Sequence, residues 1–439
     1  TVERTSRTIG LSGFLTGGIN INDLHEVDFT WMRLRQTEDE TTRQIGYNLD
    51  EDGIIRINEL KWEERELMTY QLQGSHVFPV LNSARIEWDY SDSTAELSTP
   101  DQRKYRYDPD PVADFIFSRR ADSNIRRYTS LDDAAVDFGA DVFFPVQWGR
   151  ADGEFSSGFR SLEKDRESSI RRFNFQGISG LSLEERREQN VEDVFTPENI
   201  GPGGLSLREL TRNSDTYAAS LDVEAIYAAL DFTLYDTFRL SGGLRVEDWQ
   251  QNVRTFSLLE PDTLESESDL GDVDYSPSLS LTWLISDRQQ LRLSYAETII
   301  RPDFKELSDS PSTDPILERE VIGNADLVPS DVEHADIRWE FYPEPGELFS
   351  VGLFYKRIFQ PIELTVLPGV AQLLTFENAQ EAENFGLEIE GRKTLGFADQ
   401  WLGWDNVLDA FFVAGNISFI ESEITIDPDD RGILTSTSR

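Results

Sequence analysis

Apolar and polar side chains alternate with a period of two from one end of this chain to the other. No other feature limits its possible folds as tightly. At 84–90, Ala84, Ile86, Trp88 and Tyr90 interleave with Arg85, Glu87 and Asp89. At 136–142, Val136, Phe138, Ala140 and Val142 interleave with Asp137, Gly139 and Asp141. Residues 335–356 read ADIRWEFYPEPGELFSVGLFYK, two alternating runs around a Pro-Gly turn. One face carries Ala335, Ile337, Trp339 and Phe341, then Phe349, Val351, Leu353 and Tyr355. The other carries Asp336, Arg338 and Glu340, then Ser350, Gly352, Phe354 and Lys356. A two-residue period places successive side chains on opposite faces of a strand, so each such run is a two-faced β-strand. Helical periodicity is nearly absent.

Candidate strands fall at 6–19, 25–37, 57–77, 82–96, 131–146, 153–175, 215–234, 237–257, 273–285, 290–300, 333–342, 348–366, 375–395 and 406–425. Short connections lie near 20–24, 78–82, 147–152, 235–236, 286–289, 343–347 and 396–405. Long polar ones lie near 38–56, 97–130, 176–214, 258–272, 301–332 and 367–374. Short and long in strict alternation mark an up-and-down meander with a short rim and a long rim. Many runs exceed about ten residues, enough to cross a bilayer while tilted. The ionisable residues of the second face exclude a small barrel filled with apolar side chains. They predict a wide interior that holds water or a polar plug. A soluble β-protein shares the alternation, but this chain has no second apolar face to pack on the first.

Composition narrows the function. The chain of 439 residues carries 82 acidic against 41 basic side chains, a net charge of −41. That charge excludes nucleic acid as a partner. There is no cysteine, and His25, His76 and His334 form no metal-binding spacing. No metal, cofactor or catalytic set is expected, and the chain is read as no enzyme. The acidic stretches DEDG (50–53) and DPDD (427–430) lack the EF-hand pattern and read as solvated loops before calcium sites. No apolar stretch reaches about 18 residues, so no transmembrane helix is expected, a criterion that does not test strands. No signal peptide is visible, and the chain reads as part of something longer.

Several pieces in order carry a resemblance. They are YAALDFTLYDTFRLSGGLRVED (227–248), DVDYSPSLSLTWLISDRQQLRLSYAETIIR (272–301), RPDFKELS (301–308) and GNADLVPSDVEHADIRWEFY (323–342). SVGLFYKRIFQPIE (350–363), ENAQEAENFGLEIEG (377–391) and VAGNISFIESE (413–423) follow. The succession resembles the barrel of TonB-dependent outer-membrane receptors, most specifically over 215–423. The resemblance implies an all-β, transmembrane antiparallel up-and-down β-barrel with about 14 of 22 strands present. Residues 1–439 would be approximately strands 4–17, with the plug domain and both barrel ends absent. It also implies a monomer in the outer membrane of a Gram-negative bacterium, among lipopolysaccharide and phospholipid. Such a receptor takes up a scarce solute, with the TonB-ExbB-ExbD complex acting through the missing plug. Family members carry ferric siderophores, cobalamin, haem or saccharides, and the RPDF stretch looks most like a branch associated with carbohydrate uptake. A passive porin and a surface β-protein that binds polysaccharide are the alternatives.

On this reading Asp336, Arg338, Glu340, Glu388, Glu390 and Arg392 face the lumen or plug, or pair only with neighbouring strands. Tyr105, Tyr107, Phe115, Phe117 and Tyr128 are loop aromatics that could stack on a ligand or pack the loop against itself. Trp283, Tyr295, Trp339 and Tyr342 suit an interfacial girdle. Lys356 and Arg357 either meet lipopolysaccharide phosphates or form inward salt bridges. Gly323, Asn324, Leu327 and Pro329 read as the end of a structured loop at the rim.

Overall fold

In the computed structural model the alternating runs form fourteen successive antiparallel strands, each hydrogen-bonded to the next in chain order. They are β1 (Val2–Ile21), β2 (His25–Asn48), β3 (Gly53–Phe78), β4 (Ala84–Asp110) and β5 (Asn124–Trp148). Next come β6 (Ala151–Gln176), β7 (Thr216–Leu234), β8 (Phe238–Phe256), β9 (Leu264–Ser286) and β10 (Gln289–Ile300). The last are β11 (Ser330–Phe341), β12 (Leu348–Phe359), β13 (Glu381–Thr394) and β14 (Phe412–Thr425). The structure describes residues 1–48, 53–120, 122–149, 151–188, 190–260, 262–313, 319–367, 373–403, 407–425 and 434–435. The acidic stretch 427–430 lies outside the described residues, as do 50–52 of the stretch 50–53. Among the described residues β1 and β14 each have one neighbour and do not pair with each other.

Three of the short turns place two consecutive non-glycine residues at positive φ. These are Asn22 and Asp23 (57° and 54°), Asn82 and Ser83 (58° and 59°), and Tyr235 and Asp236 (53° and 52°). That backbone twist matches the right-handed twist of the flanking strands and keeps a tight hairpin in register.

The cross-strand register carries the two-faced character across the sheet. One row runs Phe232, Leu240, Leu281, Leu293, Ile337, Leu353, Leu387, Phe419 over β7 to β14. The adjacent row runs Thr233, Arg239, Thr282, Arg292, Arg338, Gly352, Glu388, Ser418. A one-residue slip anywhere would exchange the faces, so burial of either face fixes the register. The apolar face leaves Leu293, Ile337, Phe349 and Leu353 exposed by about two fifths each, with no layer of described residues over them. Glycine permits one close approach on this face. A Cβ at Gly74 would lie 2.4 Å from the Trp88 indole on the paired strand. Gly74→Val should displace that ring and destabilise the sheet by about 1–3 kcal/mol, measurable by urea unfolding in detergent.

The structure corrects the strand limits. β2 runs to Asn48 and β3 begins at Gly53, so most of the expected loop 38–56 is strand. β4 and β5 likewise consume much of 97–130, and β9 begins at Leu264. Alternation fails there because both faces of a strand projecting into water can be polar. At about 3.3 Å per residue, the 27-residue β4 is far longer than a bilayer requires. The expected strand 348–366 is broken after Phe359, where Gln360 takes a positive φ of 51° and Pro361 follows. Its continuation, Ile362–Val366, joins a separate five-stranded sheet with Ser312–Thr313, Glu320–Val321, Leu374–Asn378 and Leu434–Thr435.

Three long connections fold onto the two faces. The described residues of segments 111–123 and 177–210 cover the far ends of β3 to β6 on the side that bears the apolar band. There Tyr105, Tyr107, Phe117, Ile178, Leu181, Val194 and Leu205 form a buried cluster. Arg186 ties the two segments, donating from Nε (2.9 Å) and Nη2 (2.7 Å) to the Phe117 carbonyl. The described parts of segment 301–329, residues 301–313 and 319–329, seat on the polar face instead. Phe304, Leu307 and Leu327 are buried there against Tyr217, Ala219 and Val253.

Candidate functional site

The site is the polar face of the wall together with the segment that folds onto it. The strand β10 ends at Ile300, and Pro302 forbids the chain to continue in the ladder. Asp303 then caps a single helical turn, Phe304–Leu307, in a capping box with Glu306. Arg301 anchors this turn to the wall. Its Nη2 lies 2.5 Å from Glu247 and 3.5 Å from Asp274, and its guanidinium stands 4.6 Å from the Trp249 ring centroid. Trp249 Nε1 donates to Asp274 at 2.5 Å, and Gln251 Nε2 donates to the Pro302 carbonyl at 2.8 Å. On the other flank Arg166 reaches Asp303 at 3.5 Å, and Lys164 and Arg166 lie over the Phe304 ring.

The returning half of the segment packs directly on that turn. The amides of Gly323 and Asn324 donate to the carbonyls of Ser308 (2.9 Å) and Glu306 (2.6 Å). A Cβ at Gly323 would meet the Ser308 carbonyl at 2.3 Å, so close approach rather than turn conformation requires glycine here. Asn324 Nδ2 donates to the Phe376 carbonyl at 3.0 Å, which joins this loop to the small separate sheet. The expected structured loop is present, but it seats on the polar face rather than only descending to the rim.

Nearer the short turns, three of the six expected polar-face residues come together. Arg338 donates from Nε to Glu340 (2.9 Å) and from Nη2 to Glu390 (2.9 Å), bridging β11 and β13 across β12. Glu340 is buried and also accepts from Gln290 and from the Tyr342 hydroxyl (3.2 Å). Arg392 instead lies over the Phe412 ring at 4.2 Å. Asp336 and Glu388 share the face but make no ion pair among the described residues. Tyr342, expected in the girdle, joins Glu340 because it stands two residues further along and so shares the parity of the polar face. Gln290 supplies a donor that sequence reasoning missed. Its signal was register, since it pairs directly opposite Glu340. Arg357 lies on the apolar-band face and pairs with Glu381 at 2.5 Å, while Lys356 lies opposite His334 on the polar face.

The loop aromatics have a different setting. Tyr105, Tyr107 and Phe117 are buried, with the Tyr107 and Phe117 rings edge to face at 5.3 Å, and Phe115 packs against the same cluster. All stand on the side away from the polar face. Tyr128 is set apart, edge to face with Phe173 at 5.7 Å and partly exposed. Asp110 fastens the loop over this cluster. The Ala113 amide and the Arg187 guanidinium (3.1 Å) hold its carboxyl below the ordinary carboxylate range. A depressed folded value gives stability that is complete above the ordinary range and is lost as pH falls through the folded value. Limited proteolysis between residues 177 and 210 should therefore accelerate as pH drops below about 4, and Asp110→Asn should remove that acceleration.

A sheet with one continuous apolar face, one ionised face and a segment seated on the latter defines the wall of a transmembrane-type β-barrel. A family model, TonB dependent receptor-like β-barrel, matches residues 10–438, and the chain belongs to that family. No curated protein sequence matches it. Among solved structures it is similar to the ferric-catecholate import receptor Fiu of E. coli K12, at 13% identity and TM-score 0.55. That match covers 96% of this chain and 65% of the receptor. It is similar also to the siderophore receptor PiuA of Acinetobacter baumannii (9% identity, TM-score 0.56, 97% and 64% coverage). The copper transporter OprC is a third (12%, 0.53, 96% and 62%). At these identities the likeness is one of fold. The chain spans just under two thirds of each of these structures.

Proposed function

We propose that this chain forms most of the wall of an outer-membrane receptor that takes up a scarce solute by TonB-coupled active transport. A plug domain carried elsewhere in the parent protein would fill the space beside the polar face. Asp336, Arg338, Glu340, Glu388, Glu390 and Arg392 would then line the lumen or contact the plug. The wall would span approximately the fourth to seventeenth strands of a 22-stranded family barrel. TonB with ExbB and ExbD would act through the plug, and the receptor would work as a monomer among lipopolysaccharide and phospholipid. The observation that carries this reading is the pair of adjacent rows, one apolar and one polar, sustained in register from β7 to β14. A watery lumen on one side and acyl chains on the other require that pairing. The similar structures carry siderophores and copper by their names, which supports small-solute uptake without choosing the solute. A ferric siderophore and a carbohydrate are both retained.

The test is made in the parent organism. The parent protein should sediment with outer membranes and need detergent for extraction. Cells lacking TonB should lose uptake of its solute, whichever compound rescues growth of the wild type. Uptake that persists without TonB would replace this reading with a passive porin. Extraction in buffer alone would replace it with a soluble or surface β-protein.

A further inference from the structure

Between segment 301–329 and the wall lies a cavity of about 270 Å³. Lys61, Glu63, Gln102, Arg127, Tyr217 and Lys305 line it, all from the polar face or from the segment. Its charge runs against the chain, which carries −41 overall. Glu63, the one acidic residue among the lining groups, is held by both Lys61 (2.6 Å) and Arg65. Among the described residues the Arg127 side chain makes no hydrogen bond or ion pair. The acids nearest in charge to it are already engaged. Asp215 binds Arg172 at 2.9 Å, Glu320 binds Arg212 at 2.7 Å, and Glu59 accepts from Gln102. Burial lowers the affinity of the Arg127 guanidinium for its proton, and Arg172 lowers it further. A half-buried arginine left without an acceptor, beside two lysines and several hydroxyls, is an incomplete charge-assisted site.

Resting on the uptake reading above, we propose that this cavity is an anion subsite in the lumen, where Arg127, Lys61 and Lys305 receive an acidic group of the transported solute. The acid is a carboxylate or a phosphate. The planar fork of Arg127 supplies orientation, the lysines supply charge, and Gln102 and the segment hydroxyls satisfy the remaining oxygens. A solute of neutral saccharide alone would leave Arg127 unmatched.

The test uses the intact parent receptor in detergent at low salt, with inorganic pyrophosphate and propane-1,2,3-tricarboxylate as probes in titration calorimetry. At least one probe should bind, with the tighter of the two naming the acid class. Arg127→Gln should weaken it at least tenfold. Arg127→Lys, which keeps the charge without the fork, should keep only part of the affinity, and Arg35→Gln, on the apolar-band face, should leave it unchanged. Affinity should fall on raising salt from 20 to 200 mM. Failure of the parent receptor to bind either probe, or equal affinity in the Arg127→Gln variant, would overturn the proposal. Uptake that does not require TonB would refute the transport reading alone, because probe affinity does not depend on it.

Discussion

Leu353→Arg should cost the folded barrel about 2–4 kcal/mol and largely prevent its assembly, while Gly352→Lys should cost less than about 1 kcal/mol. The two positions are neighbours at one depth in β12 and differ only in face. Leu353 stands between Ile337 and Leu387 on the apolar face. An arginine there would face hydrocarbon with no partner in its row. Gly352 stands between Arg338 and Glu388 on the polar face, and a Cβ there would meet no atom closer than 3.9 Å. Its lysine would sit beside an acid. Urea unfolding of the parent protein in lipid, followed by tryptophan fluorescence, measures both. Equal cost at the two positions would mean that the faces share one environment.

Arg301→Ala should release segment 301–329 from the polar face. It leaves Glu247 and Asp274 without their shared cation and removes the group stacked over Trp249. Breaking a partly buried charge network of this kind costs about 2–3 kcal/mol locally. Hydrogen exchange of the Glu306, Gly323 and Asn324 amides should rise by at least tenfold, since each bond they make depends on the seated turn. Arg301→Lys should recover part of the protection, because a lysine restores charge but neither the fork nor the stacking. The fourteen-strand ladder should be unaffected in either variant.

The wall was legible because alternation is local. Each strand announces its two faces from its own residues, and the short turns give their positions through runs such as Tyr235-Asp236. The strand ends were not legible. Past the lipid band both faces meet water, so Thr41, Thr42 and Arg43 in β2 pair in the ladder without any apolar period. The seat of segment 301–329 was written in the chain, but as a departure from the pattern. Tyr217, Ala219 and Val253 occupy polar-face positions, and apolar side chains there mean that something covers that face. Tyr105, Tyr107 and Phe175 give the corresponding sign on the other face, far from the short turns. Neither sign names its cover, because which loop lands where depends on contacts between residues more than fifty positions apart. The Arg338–Glu340–Glu390 cluster shows the same limit. Its members share a face by parity, but their junction across β12 depends on register.

The central claim is that the two faces of one strand meet two different solvents. The chain has no cysteine of its own, so single cysteines can report each position once any cysteine in the rest of the parent protein is replaced by serine. Spin labels at 337, 351 and 353 and at 338, 350 and 352, in the parent protein reconstituted in lipid, give the most direct measurement. Oxygen, which concentrates in acyl chains, should relax the labels at 337, 351 and 353. A water-soluble nickel chelate should not reach them. Labels at 338, 350 and 352 should show little oxygen effect. An equal response to the nickel chelate at both sets of positions would contradict the account.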